Sequence, residues 1–251
     1  MLHHISLGEA FYCVSCKFTC THLHPPHTFP APAAPYTRPP HIHTDQQQTA
    51  HRSTLLCMLL NTRSFTKHAT EIWDLLHDQA PDLLFLTETR LNLASDLDIA
   101  TAIPLGYMMA RQDMTAQARS GNSHHHKDAI CCTTSTDTST NNLGHLSFKL
   151  HITTNFTLSG TVIYKPPGPG TNFVDTIADF VAPLILDTSA FILLRDLNFH
   201  LEDHTDPNSK ALLEDLGNLG LTQRVKGPTH SAGHLLDPIF TSFDTISVDK
   251  P

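Results

Sequence analysis

The stretch LLRDLNFH, residues 193–200, combines the end of an apolar run with a dense group of polar side chains. Its two leucines extend the preceding residues AFI into a continuous apolar run, typical of a strand that is buried on both faces, and Arg195 follows that run. That segment ends on the carboxylate of Asp196, and the carboxamide of Asn198 follows two residues later. Side chains at the ends of buried strands lie at the rim of a sheet, where α/β folds build their functional sites. The stretch therefore predicts a buried strand with chemistry at its carboxyl end.

The same arrangement recurs at four other places along the chain. Apolar runs lead into Asn61 in LLNTRS, Glu88 in LFLTET and Tyr164 in VIYKPP, and Asp237 lies within HLLDPIF. Any one of these residues, taken alone, is more often a cap, a turn residue or a packed aromatic. Gathered at one rim, however, carboxylates and carboxamides are oxygen ligands suited to Mg²⁺, which binds one or two carboxylates together with substrate phosphates.

Hydrophobic periodicity predicts several strands with a few helices between them. This pattern predicts an α/β layered domain. Strands are expected over 54–60, 81–88, 105–111, 142–152, 157–164, 190–196 and 234–242, and helices over 68–79, 173–185 and 206–221. We expect Asn208 or Ser209 to cap the last helix. The run His124–His125–His126 is expected to be a solvated loop. No structural metal site is expected there, since neighbouring residues of a strand would point to alternating faces and could not all bind one metal.

Residues 1–50 differ in composition from the rest of the 251-residue chain, since they hold 7 of its 17 prolines and 7 of its 19 histidines. Proline removes backbone donors, so we expect a disordered leader over 1–50, without helix or inner strand, and one folded domain over 51–251. The leader also contains a C-x₂-C start that suits zinc. The remaining ligands are too close to it for a zinc fold, which favours chance association of Cys13, Cys16, Cys20, His22 and His24.

Composition limits the classes of function. Lysine and arginine number 16 against 24 acidic residues, which gives a formal charge of −8. Such a chain has no global attraction for nucleic acid, so any nucleic-acid function must depend on a local patch or on metal ions. The sequence has no signal peptide and no apolar run near the roughly 20 residues that a bilayer span needs. We therefore expect a soluble intracellular protein with no membrane association, and we predict no protein partner.

The segments LLNTRS, PDLLFLTET, YKPPG, LRDLNFH and HLLDPIF occur in this order between residue 55 and about residue 243. As a set they resemble the motifs of the endonuclease/exonuclease/phosphatase superfamily, in particular the endonuclease domain of non-LTR (LINE-type) retrotransposons. The resemblance implies a four-layer α/β sandwich, in which two packed mixed β-sheets are flanked by helices, here incomplete at the C-terminus. It also implies divalent-metal-dependent hydrolysis of DNA phosphodiesters, by nicking of a target site, and a nuclear location for a functional copy.

The resemblance assigns roles to the polar strand ends. By analogy, Glu88 holds the divalent metal, Mg²⁺ or Mn²⁺, and Asn61 helps to organise the metal and the phosphate. Tyr164 is similar to the tyrosine that touches the scissile phosphate. Such groups stabilise the negative charge that develops on the phosphate oxygens.

Three further roles concern the attacking water and the phosphoryl oxygens. Asp196 resembles the acid that activates or positions the water, and Asn198 resembles the donor to the phosphoryl oxygens. Asp237 resembles the acid that orients a catalytic histidine.

Several departures from the family pattern predict that the activity of this copy is weak or lost. Arg195 replaces the usual glycine and is expected to damage the motif, although it could also point to solvent or towards a phosphate. Arg90 replaces an aromatic residue and is expected to alter a surface contact. The chain ends at SVDKP without the Ser-Asp-His motif, and the nearest remaining histidines are His230 and His234. Two alternatives stay open: a non-catalytic metal- or nucleic-acid-binding relic, and a phosphomonoesterase or lipid-phosphate hydrolase on the same fold.

Overall fold

The computed structural model of the chain describes residues 11–17, 54–113, 121–135, 144–153, 156–165, 173–196, 201–229 and 233–249. These residues form strands and four α-helices. The helices are α1 (Ala69–Gln79), α2 (Asp96–Ala102), α3 (Phe173–Leu186) and α4 (Pro207–Asn218). The strands are β1 (Phe11–Lys17), β2 (Thr54–Asn61), β3 (Leu83–Thr87), β4 (Tyr107–Gln112), β5 (Asn122–Lys127), β6 (Cys132–Ser135), β7 (Gly144–Thr153), β8 (Phe156–Tyr164), β9 (Ala190–Asp196), β10 (Thr222–Gln223), β11 (Ile239–Thr241) and β12 (Ile246–Asp249).

The strands form two six-stranded mixed sheets. Sheet A has the order β12-β1-β2-β3-β5-β4, and sheet B has the order β10-β11-β9-β8-β7-β6. Each sheet contains one parallel pair, β2 with β3 in sheet A and β8 with β9 in sheet B, and the other pairs are antiparallel. The carboxyl ends of the parallel pairs are therefore the places where strand-terminal side chains of each sheet collect.

The two faces of sheet A belong to two different apolar cores, because successive residues of a strand point to opposite faces. Met58 and Leu60 pack in the core that contains Ile72 and Leu75 of α1. The alternate residues, such as Leu59, pack in a larger core with apolar residues of sheet B and of helices α3 and α4. The layers are therefore helix, sheet, sheet and helix. This arrangement confirms the four-layer α/β sandwich.

The long periodic segments form the elements that their patterns predict. Helices α1 and α3 and strands β2, β3, β4, β7, β8 and β9 begin and end within three residues of the expected positions. The last predicted strand is shorter than expected, since only Ile239–Thr241 is extended. The cap of α4 is Asp206, whose carboxylate accepts from the Ser209 backbone N–H at 2.9 Å, rather than Asn208 or Ser209. No helix among the described residues is long and apolar enough to cross a bilayer.

One segment of the predicted leader departs from expectation. Residues 11–17 form strand β1, which pairs antiparallel with β2 on one side and with β12 on the other. The expectation that no inner strand forms before residue 50 is thus wrong for these seven residues, which contain no proline. The rest of the 1–50 segment, with Cys20, His22 and His24, lies outside the described residues, and the boundary near residue 50 stays a prediction.

The histidine run is the clearest correction. His124, His125 and His126 lie in the middle of β5, between β3 and β4, and are 0%, 0% and 5% exposed. The prediction of a solvated loop is therefore wrong. Burial is the main cause that lowers the pKa of both His124 and His125 to about 3, so both rings are neutral. Tertiary burial here overrides the polar character that favours a loop.

Arg195 has strand backbone geometry but does not reach solvent. Its side chain is 0% exposed, and its guanidinium carbon lies 4.8 Å from the centre of the Phe240 ring. None of the three guanidinium nitrogens makes a hydrogen bond within the described residues. Burial lowers its pKa to about 9. Arg195 therefore points neither to solvent nor towards a phosphate. It places a charged group without hydrogen bonds in the core beside sheet B, which destabilises the fold.

Candidate metal and phosphoester site

The two parallel strand pairs end at one rim of the sandwich. In sheet A, Asn61 pairs with Thr87, so that Glu88 follows at the end of the neighbouring strand. In sheet B, Tyr164 pairs directly with Asp196. The two sheets meet there, since a hydrogen bond joins Asn61 to Asp196 across 135 positions of sequence.

Asn61 is the centre of this cluster. Its Nδ2 donates to Glu88 Oε1 at 3.1 Å and to Asp196 Oδ2 at 2.7 Å, so one amide holds two carboxylates that would otherwise repel each other. Its Oδ1 accepts from the backbone N–H of Arg63 at 3.1 Å. The amide therefore positions the two acids in this arrangement, and its oxygen would have to turn from Arg63 to reach a metal.

Glu88 has an unusual backbone conformation. Its φ of 51° lies in the left-handed region, which is uncommon for a residue with a side chain and frequently occurs at functional positions. The conformation ends the strand sharply, and the side chain is 17% exposed at the rim. Arg90 Nη2 lies 3.9 Å from Glu88 Oε2, so the replacement of an aromatic residue at position 90 brings a cation to the proposed metal acid itself. The prediction that Arg90 alters only a surface contact is therefore incomplete, because its side chain also lies near Glu88.

Tyr164 is buried beside the two acids. Its pKa is raised, first by burial and then by the negative charges of Glu88 and Asp196. The phenol is thus firmly protonated and can act as a hydrogen-bond donor at the rim. The following residue, Lys165, is also buried, and its backbone N–H donates to the Asp196 carbonyl at 3.0 Å.

Asp237 approaches the same cluster from the loop before β11. Burial, helped by the negative charge of Glu88, raises its pKa to about 7. The Thr229 hydroxyl opposes this shift. The Thr229 Oγ1 also accepts from the backbone N–H groups of Leu236 and Asp237, at 2.7 and 3.1 Å. Thr229 therefore fixes the turn that presents Asp237, a role that its sequence context did not signal.

We expect Thr229→Val to lower the free energy of unfolding by about 1–3 kcal/mol, because two N–H groups lose their acceptor inside the protein. Urea denaturation followed by circular dichroism measures this change. Thr229→Ser is the matched control, since it keeps the hydroxyl and should lose much less. Unchanged stability of Thr229→Val would show that the hydroxyl does not matter at this position.

The structure gathers five of the six sequence-predicted site residues and leaves the sixth undetermined. Hydrogen bonds connect Asn61 to Glu88 and Asp196, and the charges of these acids raise the pKa of Tyr164 and, for Glu88, that of Asp237. Asn198 lies outside the described residues. So does His230, whereas the Nδ1 of His234 lies 2.7 Å from Glu202 Oε1.

The donor set at the rim fits a hard divalent cation. Glu88 and Asp196 supply carboxylate oxygens that Asn61 holds close together. Magnesium usually binds one or two carboxylates and keeps water or substrate oxygens at its other positions. The Mg²⁺ or Mn²⁺ ion that the resemblance implies would therefore find acceptable ligands in these side chains.

No protein-family model and no curated protein match the sequence. Solved structures do match the fold. An AP endonuclease from Leishmania major superposes with a TM-score of 0.60 at 15% identity, over 73% of this chain and 78% of that one. The endonuclease domain of TRAS1, a telomere-specific non-LTR retrotransposon, gives 0.56 at 14% identity, over 73% and 82%. The chain resembles the endonuclease/exonuclease/phosphatase superfamily in its fold.

The human Nocturnin catalytic domain extends this likeness, with a TM-score of 0.58 at 13% identity over 78% of this chain and 85% of that one. At such identities the similarity to the superfamily establishes the fold, and the chemistry has to be argued from the site. In this chain the rim that carries Asn61, Glu88 and Asp196 is formed by two parallel strand pairs, one from each sheet.

Proposed function

We propose that this chain is a divalent-metal-dependent phosphodiester hydrolase that acts on DNA, of the target-nicking type found in non-LTR retrotransposons, with slow turnover. The single observation that supports this proposal is the convergence of Asn61, Glu88 and Asp196 at one rim through two hydrogen bonds. The fold likeness to the TRAS1 endonuclease domain supports the choice of substrate class. A DNA substrate in turn implies a nuclear site of action.

The roles in this proposal follow from the chemistry of the side chains. A bound Mg²⁺ or Mn²⁺ would supply positive charge that stabilises the phosphate oxygens as negative charge develops. Glu88 and Asp196 would hold that cation, and Asp196 would also orient the attacking water, while Asn61 keeps the two acids in place. Tyr164 is protonated and buried, so it can donate to a phosphate oxygen. We assign Asn198, by resemblance, to the phosphoryl oxygens.

Slow turnover is expected from the surroundings of Glu88. Arg90 Nη2 lies 3.9 Å from its carboxylate, so a cation already balances part of the negative charge that would bind the metal.

Nicking of supercoiled plasmid at high protein concentration tests the proposal. We expect slow conversion to open circles with Mg²⁺ or Mn²⁺, no conversion with EDTA, and a rate lower by about tenfold or more in Glu88→Gln, since the amide no longer supplies a charged ligand. The control is Glu214→Gln, which makes the same change at an exposed position of α4 and should nick normally. Nicking that is equal in both variants would exclude Glu88 from the site.

The second candidate is a metal-binding relic without turnover, which the position of Arg90 beside Glu88 favours. Mn²⁺ binding followed by electron paramagnetic resonance separates the two candidates. Binding that depends on Glu88, without plasmid nicking, would establish the relic. Hydrolysis of p-nitrophenyl phosphate without nicking would instead favour a phosphomonoesterase.

A further inference from the structure

Strand β5 places two histidines on the face of sheet A that meets sheet B. His124 and His126 are two residues apart and so point to the same side, whereas His125 points to the other side and stacks on Phe65 with ring centres 6.0 Å apart. The rings of His124 and His126 are 5.4 Å apart, and His124 lies near Phe148 of sheet B, at 5.8 Å between ring centres. The side chains of His124 and His126 are thus directed into the space between the sheets.

A cysteine from the opposite sheet completes this cluster. Cys132 begins β6, the edge strand of sheet B, and its Sγ lies 3.6 Å from His124 Nε2. One ligand atom each from His124, His126 and Cys132 can be chosen so that all three lie within 4.8 Å of one another. The three side chains therefore converge from two sheets on one small volume.

We propose that His124, His126 and Cys132 form a second metal site, separate from the acidic rim, that binds Zn²⁺. Two imidazole nitrogens and a thiolate are the donors that zinc prefers, whereas Mg²⁺ prefers oxygen. With bond lengths of about 2.0–2.1 Å to nitrogen and about 2.3 Å to sulfur, tetrahedral geometry separates the nitrogen and sulfur ligands by about 3.5 Å. The distance between His124 Nε2 and Cys132 Sγ is close to this value.

The burial of these side chains supports a ligand. His124 and His126 are almost fully buried, and the Nδ1 atom of each ring has no hydrogen-bond partner within the described residues. Buried polar atoms without partners destabilise a fold, and coordination of His126 through Nδ1 would remove that cost for this ring, whereas His124 faces Cys132 through Nε2 and its Nδ1 would gain nothing. Cys132 is only half-buried, which leaves a route for the ion and for a water molecule as fourth ligand.

Zinc at this site would have a structural effect. The Cys132 thiol would lose its proton to solvent, and the resulting thiolate would form a bond to the ion. Because the ligands come from β5 of sheet A and β6 of sheet B, the bond would join the two sheets close to their edges. The folded chain should therefore melt at a higher temperature with zinc than after its removal.

The test measures the zinc content of the purified full-length chain by mass spectrometry after incubation with Zn²⁺ and desalting. Cys132→Ser is compared with Cys131→Ser, which makes the same change at the adjacent exposed cysteine. We expect Cys131→Ser to retain its zinc and Cys132→Ser to lose about one ion per chain. Equal zinc in the two variants would overturn the proposal.

The cysteines of the 1–50 segment require a separate control. Both variants are therefore also prepared with Cys13, Cys16 and Cys20 changed to serine, and Co²⁺ replaces zinc as a spectroscopic probe. A thiolate-to-cobalt charge-transfer band should remain in the Cys131→Ser protein of this background. Its absence would overturn the proposal even if Cys132→Ser proved unable to fold. Plasmid nicking does not enter this test, so the outcome is independent of the rim site.

Discussion

Gly160→Ala is expected to lower the free energy of unfolding by about 3 kcal/mol or more, because the added methyl group has no space. Gly160 lies in β8, between Phe148 of β7 and Ile192 of β9. A Cβ atom there would lie 2.4 Å from Phe148 Cζ and 2.6 Å from both Cγ2 and the backbone oxygen of Ile192. The Phe148 ring could turn aside, but the backbone oxygen belongs to the central parallel pair of sheet B and cannot move without breaking it.

Gly144→Ala is the matched control, since Gly144 also lies in a strand of sheet B. Its Cβ would have no neighbour closer than 3.9 Å. Alanine there should leave stability unchanged or raise it by about 0.4–1 kcal/mol through the lower entropy of the unfolded chain. Urea denaturation of the two variants gives the comparison. The steric argument would be wrong if Gly160→Ala unfolded at the same midpoint as Gly144→Ala.

Arg195→Met is expected to raise the free energy of unfolding by about 3 kcal/mol, an unusual direction for a change in the core. The guanidinium of Arg195 is fully buried, and within the described residues its nitrogens have no hydrogen-bond partner. Burial lowers its pKa from the ordinary value of arginine to about 9. A difference of this size corresponds to a cost on the order of 4–5 kcal/mol for the charged form, part of which methionine would recover.

The pH dependence of this gain provides a second measurement. Below pH 9 the arginine is charged in both the folded and the unfolded protein, so the free energy of unfolding is lowered by the full cost of burying the charge. As the pH rises through 9 the folded protein loses the proton while the unfolded chain keeps it, and the parent protein becomes relatively more stable. The advantage of Arg195→Met should therefore be smaller by about 2 kcal/mol at pH 10.5 than at pH 7.

Arg224→Met is the matched control for this experiment. Arg224 donates to Thr241 Oγ1 at 2.9 Å and to the Phe243 carbonyl at 2.6 Å, so its loss should destabilise the protein. Two outcomes would contradict the account of a buried unpaired charge. One is an equal rise in the free energy of unfolding in Arg224→Met, and the other is a rise in Arg195→Met that stays the same at high pH.

The strong hydrophobic patterns were sufficient to predict most of the layered fold. Continuous apolar runs gave the central strands β2, β3, β8 and β9, because a strand buried on both faces needs apolar side chains at every position. Strands β5, β6 and β12 were missed, because they carry polar residues whose strand pairing depends on neighbours far away in sequence.

For the functional site, too, the sequence predicted the residues but not the contacts between them. The sequence indicated which side chains end the strands, and Asn61, Glu88 and Asp196 do lie together. It did not indicate that the Asn61 amide would lie between two acids, nor that Thr229 would hold the turn before Asp237. Such contacts depend on the positions of two sheets relative to each other, which no local pattern encodes.

By itself, then, the sequence determined the long apolar strands and helices and the polar residues at the ends of those strands, since both follow from short-range periodicity. Only the tertiary structure decided that His124 and His126 face Cys132 between the sheets and that Arg195 is sealed inside the core. The physical reason is that burial is a property of the packed layers. A side chain that is polar in a local sequence window is nonetheless enclosed when both neighbouring strands and the opposite sheet cover it.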